Sequence, residues 1–248
     1  MNRVLLLLLL LLPQVLMAGE VHVAVAANFT APMEAVVAGF SQESGHKVTI
    51  SSGSTGKFYA QISNGAPYEV LLAADSETPA KLASDGLAVA ESQFTYAIGT
   101  LVLWSPTPGL VDNQGALLRT GTFKRLAIAN PGLAPYGKAA METLANMNLT
   151  ESVTPKLVQG ENIAQAYQFV ASGSSELGFV ALSQVMKNGK ISSGSAWIVP
   201  ETQHAPIRQD AILLQKGKNN PAAKALLHYL RGEKARKVIA SYGYTRKE

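Results

Sequence analysis

Apolar and polar positions along the chain alternate between two periods. Glu20–Ala27 is a β-rich apolar run of the kind buried on both faces of a parallel sheet. Just after it, Met33, Val36, Val37 and Phe40 recur at i, i+3, i+4 and i+7, one apolar face of a helix. Pro32 suits the first turn of that helix and Gly45 its stop. Lys47–Ser51 gives a second strand, Thr55–Ser63 a short helix closed by Asn64-Gly65, and Glu69–Ala74 a third strand. Pro79–Ser84 follows as a helix ended by Gly86. Strand–helix repetition with short connections predicts an α/β layer architecture.

A long apolar strand is expected over Tyr96–Trp104, with Gly99 in its middle. Glycine inside a strand marks a bend or crossing, which places the passage from one lobe to another here. A second α/β set follows: strands at Arg125–Ala129, Pro155–Gln159, Glu176–Ala181 and Ala196–Val199, and helices at Gly137–Met147 and Ala164–Ala171. Ile207–Gln215 reads as a strand returning to the first lobe, and the stripes Leu226-Leu227-Leu230 and Val238-Ile239 mark two closing helices. The pattern therefore predicts two α/β lobes joined by two strands, residues 19–98 with 206–248 and residues 99–205. A cleft between such lobes can close over a small ligand by hinge motion.

The start of the chain bears on compartment. Arg3 precedes a wholly apolar run from Val4 to Leu12, and small residues stand at Ala18-Gly19. This describes a secretory signal peptide over residues 1–18, too short to span a bilayer. The 248 residues contain no cysteine, which excludes disulfides, thiolate nucleophiles and cysteine zinc sites. The formal charge of +4 is spread thinly, without the continuous basic face and interleaved aromatics that nucleic acid requires.

Catalytic patterns are missing. His22, His46, His204 and His228 have no partner at helical His-pair spacing, and Asp75, Asp85, Asp112 and Asp210 do not cluster as calcium or magnesium ligands do. Ser51–Lys57 fails as a phosphate loop, because Ser51 stands where the first glycine belongs and Phe58 where the hydroxyl belongs. It also fails as a nucleophile elbow, since Gly53 and Gly56 are only three apart. What remains is an anion nest, a strand end followed by a helix start whose N–H groups and hydroxyls converge. The arrangement recurs at Ala26–Asn28, Asn130–Gly137 and Gly160–Ile163, two turns in each lobe, where open α/β sheets collect ligands. Any one of these turns by itself is an ordinary helix cap.

At these turns the chain resembles the periplasmic molybdate-binding proteins of ABC transporters. The resemblance is carried by Val25-Ala-Ala-Asn28, Ile50-Ser-Ser-Gly-Ser-Thr-Gly56, Asn64-Gly-Ala-Pro-Tyr68, Asn130-Pro-Gly-Leu-Ala-Pro-Tyr-Gly137, Gly178-Phe-Val-Ala-Leu182 and Tyr242-Gly-Tyr244. It implies an α/β fold of the periplasmic binding protein type II class, a non-enzyme, and ligand positions at Asn28, Thr55, Tyr136 and Ile163. Ile163 is expected to act through its backbone N–H, and Ala27 has only its N–H to offer. Many family members bring a tyrosine hydroxyl from the position occupied here by Ala181, so fewer side-chain donors are expected. The resemblance implies molybdate or tungstate as ligand, with molybdenum arriving as the oxyanion and no protein side chain on the metal. It further implies no cofactor, a periplasmic location, a monomer, an inner-membrane permease as partner and no nucleic acid. Lys57 is expected at the rim, solvated. Another oxyanion such as sulfate or phosphate, or a sensor domain, stays open as an alternative.

Overall fold

The computed structural model describes residues 18–187 and 189–245, so the expected leader falls outside it apart from Ala18. The chain opens with β1 (Glu20–Ala26), α1 (Thr30–Ser44), β2 (Lys47–Gly53), α2 (Thr55–Ser63), β3 (Val70–Leu72), α3 (Glu77–Ser84) and β4 (Phe94–Gly99). A second series runs β5 (Leu101–Ser105), α4 (Ala116–Thr120), β6 (Leu126–Ala129), α5 (Pro135–Asn146), α6 (Thr150–Val153), β7 (Leu157–Gly160), α7 (Ile163–Ala171) and β8 (Leu177–Ala181). It continues through α8 (Leu182–Val185), the short pair β9 (Met186–Lys187) and β10 (Lys190–Ile191), and β11 (Ser195–Ile198). The return is β12 (Ile207–Leu213), followed by α9 (Pro221–Arg231) and α10 (Glu233–Ser241).

Two five-stranded sheets result, ordered β2-β1-β3-β12-β4 and β11-β5-β8-β6-β7. In the first, β1 pairs parallel with β2 and β3, while β12 runs antiparallel to β3 and β4. In the second, β6 is parallel to β7 and β8, and β5 is antiparallel to β8 and β11.

Burial on both faces explains why β1 is apolar from Val23 to Ala26, after the exposed Glu20 and His22. Val21, Val23 and Val25 enter a core with Met33, Val36 and Phe40 of α1 and Leu226 and Leu230 of α9. Ala24 points the other way, toward Phe58 and Ile62 of α2 and Leu82 of α3. In the second sheet, Leu101 and Leu103 pack with Leu126, Ile128, Leu144 and Phe179, whereas Val102 and Trp104 pack with Val170 and Val180. Each such fully buried aliphatic or phenyl side chain contributes about 1.5–3 kcal/mol by leaving water.

The strand expected over Tyr96–Trp104 is two strands. Its first part, β4, pairs with β12, and its second, β5, pairs with β8 and β11, so the chain changes sheets at Thr100. Gly99 is required there by a close approach: a Cβ would collide with the Tyr136 hydroxyl and the Gln209 amide. The strand expected from Pro155 begins instead at Leu157, because Thr154–Lys156 forms a 3-10 turn and Pro155 has no N–H for a ladder. The helix expected from Gly137 begins at Pro135, which occupies the first turn where its missing N–H costs nothing. Helices α4, α6 and α8 and the β9–β10 pair are too short to show a period.

Candidate functional site

Each of the four turns is built by its local sequence to leave N–H groups unspent. Residues Ala27–Phe29 form a 3-10 turn between β1 and α1. Helix α2 starts at Thr55 directly after β2. In α5, Pro135 has no N–H, and Tyr136 is the first residue of the helix that offers one. In α7 the Asn162 carboxamide caps the N–H groups of Ala164 and Gln165, so the Ile163 N–H lies outside the cap.

These turns meet at one small cavity of about 10 Å³. Its wall includes Ala27, Asn28, Ser54, Thr55, Tyr136 and Ile163, all less than one-tenth exposed. All the sequence-derived candidates are therefore brought together, from four turns in two lobes. The remaining wall is Ala26, Gly53, Ala74, Ala134, Pro135 and Asn162, so no charged side chain borders the space. The N-terminal ends of α2, α5 and α7 all face it, and their partial positive charges favour an anion. Ala181 lies elsewhere: it is not part of the wall, and its N–H is donated to Gln184 Oε1 at 2.9 Å.

The side chains divide by role. Thr55 Oγ1 accepts the Ala74 N–H at 3.0 Å, and its own hydrogen stays available to the cavity. The Asn28 amide is committed inward, donating to Gln209 Oε1 at 2.8 Å and to the Tyr244 hydroxyl at 2.9 Å. Asn28 therefore faces the cavity with its backbone N–H rather than its side-chain amide. Gln209 Oε1 also accepts the Tyr96 hydroxyl at 3.0 Å, and Gln209 Nε2 donates to the Tyr136 oxygen at 3.2 Å. The Tyr136 hydroxyl also meets the Tyr244 hydroxyl, so it belongs to the same buried hub. Ser183 Oγ and the Tyr244 hydroxyl both donate to the Asn28 carbonyl, at 2.8 Å each. Burial pushes the Tyr244 hydroxyl up to about 12 and raises Tyr96 and Tyr136 well above the ordinary tyrosine value, so all three stay protonated at neutral pH.

This buried hub escaped the sequence reading. Gln209, Tyr96, Tyr244 and Ser183 lie under the cavity, with Gln209 separated from Asn28 by 181 residues and Tyr244 by 216. One signal was available: Gln209 and Asp210 are polar residues buried within β12, whose other members are apolar apart from the exposed Arg208. Asp210 is explained by hydrogen bonds from Gln93 and Thr95, and Gln209 by the hub.

The lobes also touch directly. Gly56 donates its N–H to the Leu133 carbonyl at 2.9 Å, an approach so close that a Cβ on Gly56 would press on the Leu133 backbone. Lys57, expected solvated at the rim, is about half exposed and pairs across the cleft at 2.5 Å with Glu161, which is about half exposed too. A wider cleft of about 260 Å³ adjoins the small cavity and shares Ala74, Ala134 and Pro135 with it. Its wall mixes Asp75, Glu77 and Glu142 with Lys138 and Arg208, a poorer host for a dianion. Burial raises the Asp75 carboxyl above its ordinary value. Among the described residues no group of three or more His, Asp or Glu could hold a metal ion, and no helix is long and apolar enough to cross a membrane.

Residues 21–245 match the model of the bacterial extracellular solute-binding proteins. The chain belongs to that family. As a solute-binding protein it is a binder and not an enzyme. It is 61% identical to the molybdate-binding protein ModA of Azotobacter vinelandii over 92% of this chain and 90% of that protein. Identity to the molybdate-binding protein ModA of Rhodobacter capsulatus is 49%, over 92% of this chain and 88% of that protein. Among solved structures it is similar to the Azotobacter vinelandii periplasmic molybdate-binding protein, with TM-score 0.89 and 41% identity, over 92% of this chain and 100% of that one. The resemblance read from the turn motifs is thus borne out, and the solute-binding protein has the expected type II two-lobed α/β architecture.

Proposed function

We propose that this chain is the substrate-binding component of an ABC importer, taking up molybdate and tungstate in the periplasm. The observation that carries the reading is a cavity whose wall holds no charged side chain and is built by four turns from two lobes. The identity to the two molybdate-binding relatives supports it. Asn28, Thr55, Tyr136 and Ile163 are the proposed ligands: Thr55 through its O–H, Asn28, Tyr136 and Ile163 through backbone N–H, with Ala27 adding its own.

Molybdate carries no proton at neutral pH and can only accept hydrogen bonds. A pocket made of donors satisfies it, whereas protonated phosphate would leave its own O–H unpaired. Fixed dipoles also spare the cost of burying a countercharge, which is several kcal/mol. The five donors, at roughly 1.5–3 kcal/mol each to a charged acceptor, amount to about 8–15 kcal/mol gross. Micromolar to nanomolar binding corresponds to about 8–12 kcal/mol, so the upper part of that range leaves a margin for anion dehydration and lobe closure. Sulfate is an unprotonated tetrahedral dianion too, so only cavity size discriminates against it.

The proposal includes export through a leader cleaved after Ala18, lobes comprising residues 19–98 with 206–248 and residues 99–205, a monomeric state, and delivery to an inner-membrane permease. No cofactor takes part. Calorimetric titration with molybdate, tungstate, sulfate and phosphate tests the ligand assignment. Tight binding of the first two and weak or no binding of the others is expected. Sulfate binding as tightly as molybdate, or an absence of molybdate binding, overturns it.

A further inference from the structure

We propose that Ser54 supplies an additional hydroxyl donor to the bound oxyanion, a role that rests on the anion-binding reading above. Ser54 is the N-cap of α2, with φ −78° and ψ 147°, yet its side chain makes no capping hydrogen bond. A serine at this position ordinarily accepts an N–H from the second or third helical residue. Here the second of those N–H groups, that of Gly56, is drawn across the cleft to the Leu133 carbonyl. The Ser54 hydroxyl is left with no protein partner although the residue is only 3% exposed. Leaving a buried hydroxyl unpaired is unfavourable, so such a group calls for a partner that the protein itself does not supply.

Position selects the partner. Among the described residues, buried side-chain atoms without a hydrogen bond occur at Ser54, Ser175 and Gln203, and of these only Ser54 belongs to the wall of the small cavity. It stands beside Thr55, whose hydroxyl hydrogen is also unspent, at the positive end of a nine-residue helix. A guest that accepts hydrogen bonds and donates none completes this set, and a metal-oxo dianion is such a guest. The capping role given up by Ser54 is thereby exchanged for a ligand contact. Thr55 and Ser54 then form a hydroxyl pair on one lobe, facing the first turns of α5 and α7 on the other.

The test is calorimetric titration of sodium molybdate into the wild-type protein, Ser54→Ala and Ser54→Gly, with melting temperatures measured with and without the anion. Glycine is a tolerated N-cap, so the second variant serves if the first does not fold. Loss of a hydrogen bond to a charged acceptor predicts affinity about tenfold or more weaker in both variants. The ligand-free melting temperature should stay level or rise, because an unpaired buried hydroxyl has been removed. Variants that bind molybdate as tightly as the wild type overturn the inference while leaving the anion-binding reading intact. A wild-type protein that gives no heat with molybdate overturns that reading, and this inference with it.

Discussion

Replacing Thr55 with valine keeps a branched side chain of the same shape and removes only the hydroxyl. In the native protein that oxygen accepts the buried Ala74 N–H at 3.0 Å, and its hydrogen is left for the guest. The residue is 1% exposed, so water cannot substitute in either role. Two separate losses follow. The Ala74 N–H is orphaned, which costs about 1–3 kcal/mol of stability. At roughly 2–4 °C per kcal/mol for a chain of this size, the melting temperature falls by about 2–12 °C. The missing hydrogen bond to the dianion costs about 1.5–3 kcal/mol of binding, or about 10- to 150-fold in Kd. Thr55→Ser retains the hydroxyl and should stay near wild type in both respects. Thermal melts and molybdate calorimetry on the three proteins separate the effects. A valine variant that is destabilised yet binds unchanged would assign Thr55 to the scaffold alone, and one altered in neither respect would refute the geometry.

Three further outcomes are expected. Gly99→Ala drives a methyl into the Tyr136 hydroxyl and the Gln209 amide, so denaturant titration should show about 2–4 kcal/mol lost; a variant within about 0.5 kcal/mol of wild type would mean the approach is not tight. Lys57→Ala breaks a half-exposed ion pair worth about 0–1 kcal/mol, so affinity at physiological salt should change less than about threefold while association at low salt slows; a collapse in affinity would put Lys57 on the anion. Stability should fall at alkaline pH. Below pH 10 the Tyr244 hydroxyl is protonated in folded and unfolded states alike, but between about 10 and 12 only the unfolded chain gives up the proton. That linkage removes about 3 kcal/mol across the interval, with Tyr96 and Tyr136 acting in the same direction. Urea midpoints that stay constant from pH 9 to 12 would contradict it.

The layers of the fold were legible because their signals are local. β1 could be recognised from its β-rich apolar run, and α1 from Met33, Val36 and Phe40. The four turns were legible as well, since glycine, proline and hydroxyl residues between a strand and a helix are local turn and cap signals, and here they recur in both lobes. What lies under the turns was not. Gln209 meets Asn28, Tyr96 and Tyr136 only because β12 returns beside β3 and β4, and nothing in the spacing of those residues announces the meeting. Gly99 was legible as a crossing, but its cause, a tyrosine hydroxyl and a glutamine amide against the backbone, belongs to tertiary packing. The rim escaped for the same reason: Lys57 finds Glu161 across 104 residues of sequence.

The hub has a consequence for the order in which the protein takes shape. A polypeptide that emerges N-terminus first presents Asn28 long before Tyr244, its partner 216 residues later, and before the Gln209 that links it to Tyr136. Contacts of such high sequence separation form late and slowly. Until those distant residues arrive, the turn that carries Asn28 lacks the buried partners that hold it in place.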